Sequence, residues 1–147
     1  LISTSENLVR WGYHLYSSNG LAITRPAQDM LLKSLLSDPI KYQGIMQNYG
    51  YMTTQRTYEF SKSSALSTLG HPGGGGGFST LMRYAPDLDL AVVVLANSVL
   101  QEKGTCTGNS THKDTRNCLA AKIFSAYEAY SRDHVDFSPG TVEKSQH

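Results

Sequence analysis

The stretch STLGHPGGGGGFSTLMRY, Ser67 to Tyr84, places five consecutive glycines, Gly73 to Gly77, directly behind His71 and Pro72 and ahead of an alternating run. Phe78 to Tyr84 alternates as a strand, Ala85 to Asp89 (APDLD) reads as a turn, and Leu88 to Ala96 returns as the second arm of a hairpin. Val92, Val93 and Val94 form a continuous apolar run, the pattern of a strand covered on both faces. Upstream, Ala65 to His71 is a further strand, so the glycines lie between strands. A phosphate-binding P-loop would need Lys and Ser or Thr after its last glycine and then a helix; here Phe78 and a strand pattern follow Gly77. Gly-x-Gly-x-x-Gly spacing does not occur, and no helix follows on which a pyrophosphate could dock. Residue type alone leaves one reading open, a flexible strand connection with glycine at positive φ.

Working outward, Ser3-Thr4-Ser5-Glu6 reads as a capping box with Ser3 as the cap. Leu8, Trp11 and Leu15 follow at helical spacing, with Trp11 expected in the core, and Asn19-Gly20 supplies a stop. Pro26 opens a second helix with Met30, Leu31 and Leu35 on its apolar side, ended by Asp38-Pro39. Tyr49 to Phe60 (YGYMTTQRTYEF), rich in aromatic and β-branched residues, reads as a strand. Leu119 to Tyr130 has Leu119, Ile123, Phe124, Tyr127 and Tyr130 at helical spacing and is expected to pack on the sheet. The tail from Asp133 to His147 is polar. The fold class expected is α+β, an antiparallel sheet flanked by helices, in one domain over residues 1–132.

Composition narrows the function. The 147 residues are 39% hydrophobic, in the size range of one domain, and a net charge of +1 with no basic block makes nucleic acid an unexpected partner. The longest apolar stretch, Leu90 to Ala96, is far short of the roughly 20 residues of a membrane helix. Beginning at Leu1, without Met or a signal peptide, the chain reads as a processed product or part of a longer one. Cys106 and Cys118 flank a polar segment. Their spacing favours a disulfide over a zinc site, a Cys-x-x-Cys redox pair or two unrelated thiols. Asn109-Ser110-Thr111 between them is an N-glycosylation sequon, and the pair of features points to a secreted or extracellular protein. No metal and no cofactor are expected.

The order of motifs carries a further reading. STSENLVRWGYHL, then YGYM, then GHPGGGGGFSTLMRYAPDLDLAVVVLANS resembles the C-terminal third of the serine β-lactamase-like hydrolases: class C β-lactamases, penicillin-binding-protein-like esterases and D-amino peptidases. The resemblance covers Ile2 to Ser98 and implies the C-terminal part of a β-lactamase/transpeptidase-like fold, with residues 99–118 as an inserted loop. That family's third motif, Lys or His, then Thr or Ser, then Gly, falls here on His71, Pro72 and Gly73. The resemblance then implies that the Gly74 N–H stabilises the oxyanion and that Gly73 keeps the strand edge open. It also implies that His71 polarises the base network, and that Pro72, Gly73 and Gly75 line the substrate site. The other reading of His71 is a turn histidine bonded to nearby backbone. Pro72 departs from the pattern: without hydroxyl or N–H it cannot hold a substrate carboxylate, which favours an ester or amide lacking one. Tyr49 and Tyr51 either line the cleft or pack.

The family's nucleophile motif, Ser-x-x-Lys, and its Tyr-x-Asn lie ahead of the matching region. Ser110-Thr111-His112-Lys113 fits the first by letter but overlaps the sequon, so the chain alone is expected to be inert. Two functions follow. One is the C-terminal chain of a secreted serine hydrolase completed by the N-terminal part or chain of the same precursor. The other is a catalytically inactive relative serving as a binding or structural module.

Overall fold

The computed structural model describes residues 3–35, 40–42, 45–61, 64–98 and 115–134. In chain order these form α1 (Ser5–Tyr16), α2 (Arg25–Lys33), β1 (Ile40–Tyr42), β2 (Ile45–Tyr49), β3 (Thr54–Ser61), β4 (Ser64–Gly75), β5 (Phe78–Ala85), β6 (Leu90–Ala96) and α3 (Thr115–His134). The six strands make one antiparallel sheet whose spatial order is the chain order. Each strand therefore pairs with its neighbour in sequence through a short connection. The fold is α+β, as expected from the pattern.

The glycine run divides between two structural roles. Gly75 pairs with Phe78, leaving Gly76 and Gly77 as a two-residue hairpin turn. Their φ values of 58° and 89° are the positive pair that a type I′ turn demands. Gly73 and Gly74 instead lie within β4, paired with Thr80 and Ser79.

Helices cover both faces of the sheet. On one, α3 seals a core of Tyr58, Leu66, Leu81, Ala85, Val92, Ala120, Ala121 and Phe124. On the other, α1 and α2 pack Tyr16, Leu31, Leu32 and Leu35 against Leu69, Met82, Tyr84 and Ala91. The alternation Leu81 and Ala85 to one side, Met82 and Tyr84 to the other, follows from the two-residue period of β5. The apolar run on β6 thus has α3 on one side and α1 on the other. Gly12 allows the close approach of α1: a Cβ there would lie 2.8 Å from Met82 Sδ.

Several elements differ from the sequence reading. The cap of α1 is Thr4, whose hydroxyl accepts from the Asn7 N–H at 3.2 Å, while Glu6 pairs with Arg10 on the surface. Trp11 is 49% exposed, because α1 turns Gly12, Tyr13 and Tyr16 inward, and Trp11 projects from the opposite side. Met30 faces out as well; the buried residue of α2 is Gln28, whose amide donates to the Leu15 and Ser17 carbonyls at 2.9 and 3.0 Å and so satisfies the end of α1. The run Tyr49 to Phe60 is broken by a turn in which the Gly50 N–H donates to the Thr53 carbonyl and Met52 takes φ 48°. Helix α3 starts at Thr115, inside the expected inserted loop, and continues to His134, past the expected end of the domain. Its buried side is Asn117, Ala120, Ala121 and Phe124, so Leu119, Ile123, Tyr127 and Tyr130 form an outward apolar stripe. Asp38-Pro39, the sequon at Asn109, Cys106, Ser110 to Lys113 and residues 135–147 lie outside the described residues.

Candidate active site

A buried polar knot marks where β3 ends against β4. The Arg83 guanidinium, on β5, donates through Nη1 to the Thr54 hydroxyl at 2.7 Å, the Thr54 carbonyl at 3.1 Å and the Gly70 carbonyl at 3.4 Å. Thr54 Oγ1 donates in turn to the Gly70 carbonyl at 2.7 Å. Thr53 is tied to α1 by a 3.0 Å hydrogen bond with the Tyr16 hydroxyl, a group whose pKa burial raises. Gly70 itself sits at φ 149°, and a Cβ on it would lie 2.0 Å from the Met82 carbonyl oxygen. Only glycine fits there.

Gly70 is the last residue of β4 that β3 pairs, since Thr54 opposite it begins β3. From His71 to Gly75, β4 is paired with β5 alone among the described residues. Ladder bonds alternate along a strand, and Pro72 has no N–H to give. The ladder to β5 therefore runs through His71, Gly73 and Gly75, and Pro72 and Gly74 turn their backbone groups to the outer edge. The Gly74 N–H thus lies on an unpaired strand edge next to His71.

His71 is half-buried and held at both nitrogens. Its Nδ1 donates to the Pro72 carbonyl, which can only accept, and Nε2 lies 3.1 Å from the Tyr49 hydroxyl. The two rings meet edge to face with centroids 5.7 Å apart. Nδ1 therefore carries the proton of the neutral imidazole, and Tyr49 donates to Nε2. The histidine is on a strand, not in a turn, although its bond to nearby backbone is the one the alternative reading described.

The glycines serve distinct needs. A Cβ on Gly73 would lie 2.3 Å from Thr80 Oγ1, so Gly73 admits a cross-strand neighbour. A Cβ on Gly74 would make ordinary contacts, 3.6 Å from the Phe78 carbonyl and 4.0 Å from Arg116 Nη1. Gly75 has φ 148° and no atom within 4 Å of a Cβ position, so conformation is what selects glycine there. Pro72 and Gly73 are half-buried and Gly75 is exposed beside them on the same strand end.

Arg116, from the first turn of α3, was not singled out by the sequence. Its Nη1 donates to the Gly73 carbonyl at 2.8 Å and the Thr80 carbonyl at 3.2 Å, fastening α3 to the strand pair that carries the site. A cation at a helix N-terminus opposes the helix dipole, and that was the signal that it has carbonyl partners elsewhere. Tyr51 is exposed, bonded through its N–H to Ser34 Oγ at 2.8 Å, and does not join Tyr49 at His71. Cys118 is half-buried in α3. Among the described residues no three His, Cys, Asp or Glu side chains converge as a metal site, and no helix is long and apolar enough to cross a membrane.

An antiparallel sheet layered between helices, with a His-x-Gly strand end that only β5 pairs among the described residues, is consistent with the α+β layering of a β-lactamase-like fold. The chain belongs to the beta-lactamase family: the family model described as Beta-lactamase matches residues 1–115. No curated protein and no solved structure matches it.

Proposed function

We propose that this chain is the C-terminal portion of a secreted serine hydrolase that cleaves an ester or amide through an acyl-enzyme. The observation that carries the reading is the edge of β4: among the described residues β3 pairs β4 only as far as Gly70, leaving His71, Pro72 and Gly74 on a strand end paired by β5 alone, where strand alternation assigns the Gly74 N–H to the outer side. An oxyanion needs a fixed donor of this kind, held before the reaction begins. The serine hydroxyl attacks the carbonyl, the oxyanion accepts from the Gly74 N–H, and collapse expels the alcohol or amine with the serine's proton. Water then releases the acid. The serine and its lysine come from the N-terminal part or chain of the same precursor, for which the outward stripe Leu119, Ile123 and Tyr127 offers apolar surface. Pairing of Cys106 with Cys118 and a glycan on Asn109 accord with secretion.

The second reading, an inactive relative used as a binding or structural module, draws its support from Pro72, which removes the hydroxyl the family's third motif normally presents. Labelling the natural protein with a fluorescent fluorophosphonate separates the two, with intact mass measured before and after reduction and deglycosylation. Label on a serine of a covalently or tightly associated Ser-x-x-Lys segment supports the hydrolase. An intact, folded protein that takes no label, or a precursor without that serine, supports the module.

A further inference from the structure

Resting on the hydrolase reading, we propose that Tyr49 is the positioning residue of His71, and that the Tyr49–His71–Pro72 array makes this end of β4 a subsite for a hydrogen-bond donor on a neutral substrate. The Pro72 carbonyl takes the Nδ1 proton of His71, so the neutral ring has only a lone pair at Nε2, and the Tyr49 hydroxyl fills it at 3.1 Å. Edge-to-face contact of the rings fixes the tilt, while the two hydrogen bonds fix the tautomer.

Two consequences follow for recognition. Nε2 is committed to Tyr49, so neutral His71 cannot donate to a substrate oxygen as a lysine in the same place would. The phenol, its O–H engaged as donor to Nε2, presents oxygen lone pairs, and Pro72 beside it contributes no hydroxyl and no N–H. The outward side-chain group at this corner accepts, and the one outward donor nearby, the Gly74 N–H, is taken by the oxyanion in the proposed reaction. A substrate carboxylate placed there meets lone pairs, whereas an amide N–H or an alcohol meets a partner, and a buried polar group without one is penalised.

The tautomer is read directly by long-range proton–nitrogen correlation spectroscopy of the natural protein carrying ¹⁵N histidine, with the His71 signals among the five histidines assigned by loss in His71→Gln. In the unsubstituted protein Nδ1 is expected at the protonated shift and Nε2 at the unprotonated one. In Tyr49→Phe, which keeps the ring contact, the ratio of the two tautomers is expected to move about fivefold towards Nε2–H, the factor one net hydrogen bond carries. An Nε2–H ring in the unsubstituted protein, or an unchanged ratio in Tyr49→Phe, overturns the positioning role; the first of these needs no variant to fold. The subsite is read from kcat/KM for the p-nitrophenyl ester of N-acetylglycine against mono-p-nitrophenyl succinate. The neutral amide ester is expected to lead by about tenfold, and Tyr49→Phe is expected to narrow the gap through KM. A preference for the succinate overturns the subsite. Turnover of neither ester overturns both the subsite and the hydrolase reading, while the spectroscopic result on Tyr49 stands or falls by itself.

Discussion

Gly70→Ala is the substitution that most directly tests how the open edge of β4 is set. At φ 149° the position lies where L side chains rarely go, which costs about 1–3 kcal/mol. The added Cβ would also lie 2.0 Å from the Met82 carbonyl oxygen, a backbone atom that no rotamer change can move away. The β4 and β5 strands would have to part at the Gly70 and Arg83 pair, pulling the Arg83 guanidinium from its partners on Thr54 and Gly70. Weakening one such charge-assisted bond adds about 1.5–3 kcal/mol. A total loss of about 2.5–6 kcal/mol is expected, a large share of the roughly 5–15 kcal/mol that holds a domain folded. Urea unfolding followed by circular dichroism would show it as a lower midpoint at unchanged slope. Gly74→Ala is the internal control: its Cβ would be 3.6 Å from the nearest atom, so its stability is expected within about 1 kcal/mol of the parent. Equal midpoints for the two variants would refute the claim that Gly70 is the enforced position.

Two further outcomes follow from the packing and from the turn before β6. Phe124→Ala removes a fully buried ring that packs at 6.0 Å from Tyr58 between α3 and the sheet, and a loss of about 3–5 kcal/mol is expected by the same denaturation assay; less than about 1 kcal/mol would mean that α3 is not the seal of that core. Asp89 accepts from Tyr84 at 2.7 Å, Tyr13 at 3.0 Å and Ser17 at 3.1 Å, and these bonds, Tyr84's foremost, hold its carboxyl below the ordinary 3.8 against the opposing effect of burial. The unfolded chain therefore takes up this proton first, so the contribution of Asp89 is present above the ordinary value and is lost as pH falls through the native one. Tyr84, pushed up to about 12 mainly by burial, gives the opposite limb: stability declines as pH rises from 10 towards 12. Asp89→Asn is expected to flatten the acid limb of the unfolding midpoint against pH, and an acid limb identical to the parent's would count against the stabilising role of the three bonds to Asp89.

The candidate site was legible where chemistry resides in residue type. His71, Pro72 and the glycines could be named because a histidine before a glycine run, between two strand patterns, is a rare combination with a known use in the family it resembles. Arg116 and the pairing of Tyr49 with His71 were not, because they join positions 43 and 22 residues apart through the sheet. The helix faces were misread for a related reason. Trp11 and the Leu119, Ile123, Tyr127 stripe carry the strongest apolar signal on their helices, yet α1 and α3 turn Gly12 and Ala120 to the sheet, since small residues let a helix backbone come close.

Local pattern determined β4 to β6, the hairpin between β5 and β6, the α+β class and the family, but not β1 or β2. The two-residue period and the turn residues act over a few positions, and they are visible without the rest of the chain. What the tertiary structure alone decided is which glycine does what. Five identical residues became two cross-strand positions, a strand end and a type I′ turn only once β5 was in register with β4, and the outer edge at Gly74 became open only because Arg83 and Thr54 end β3 at Gly70. Register and strand length arise from contacts between segments far apart in the chain, and no local stretch contains them.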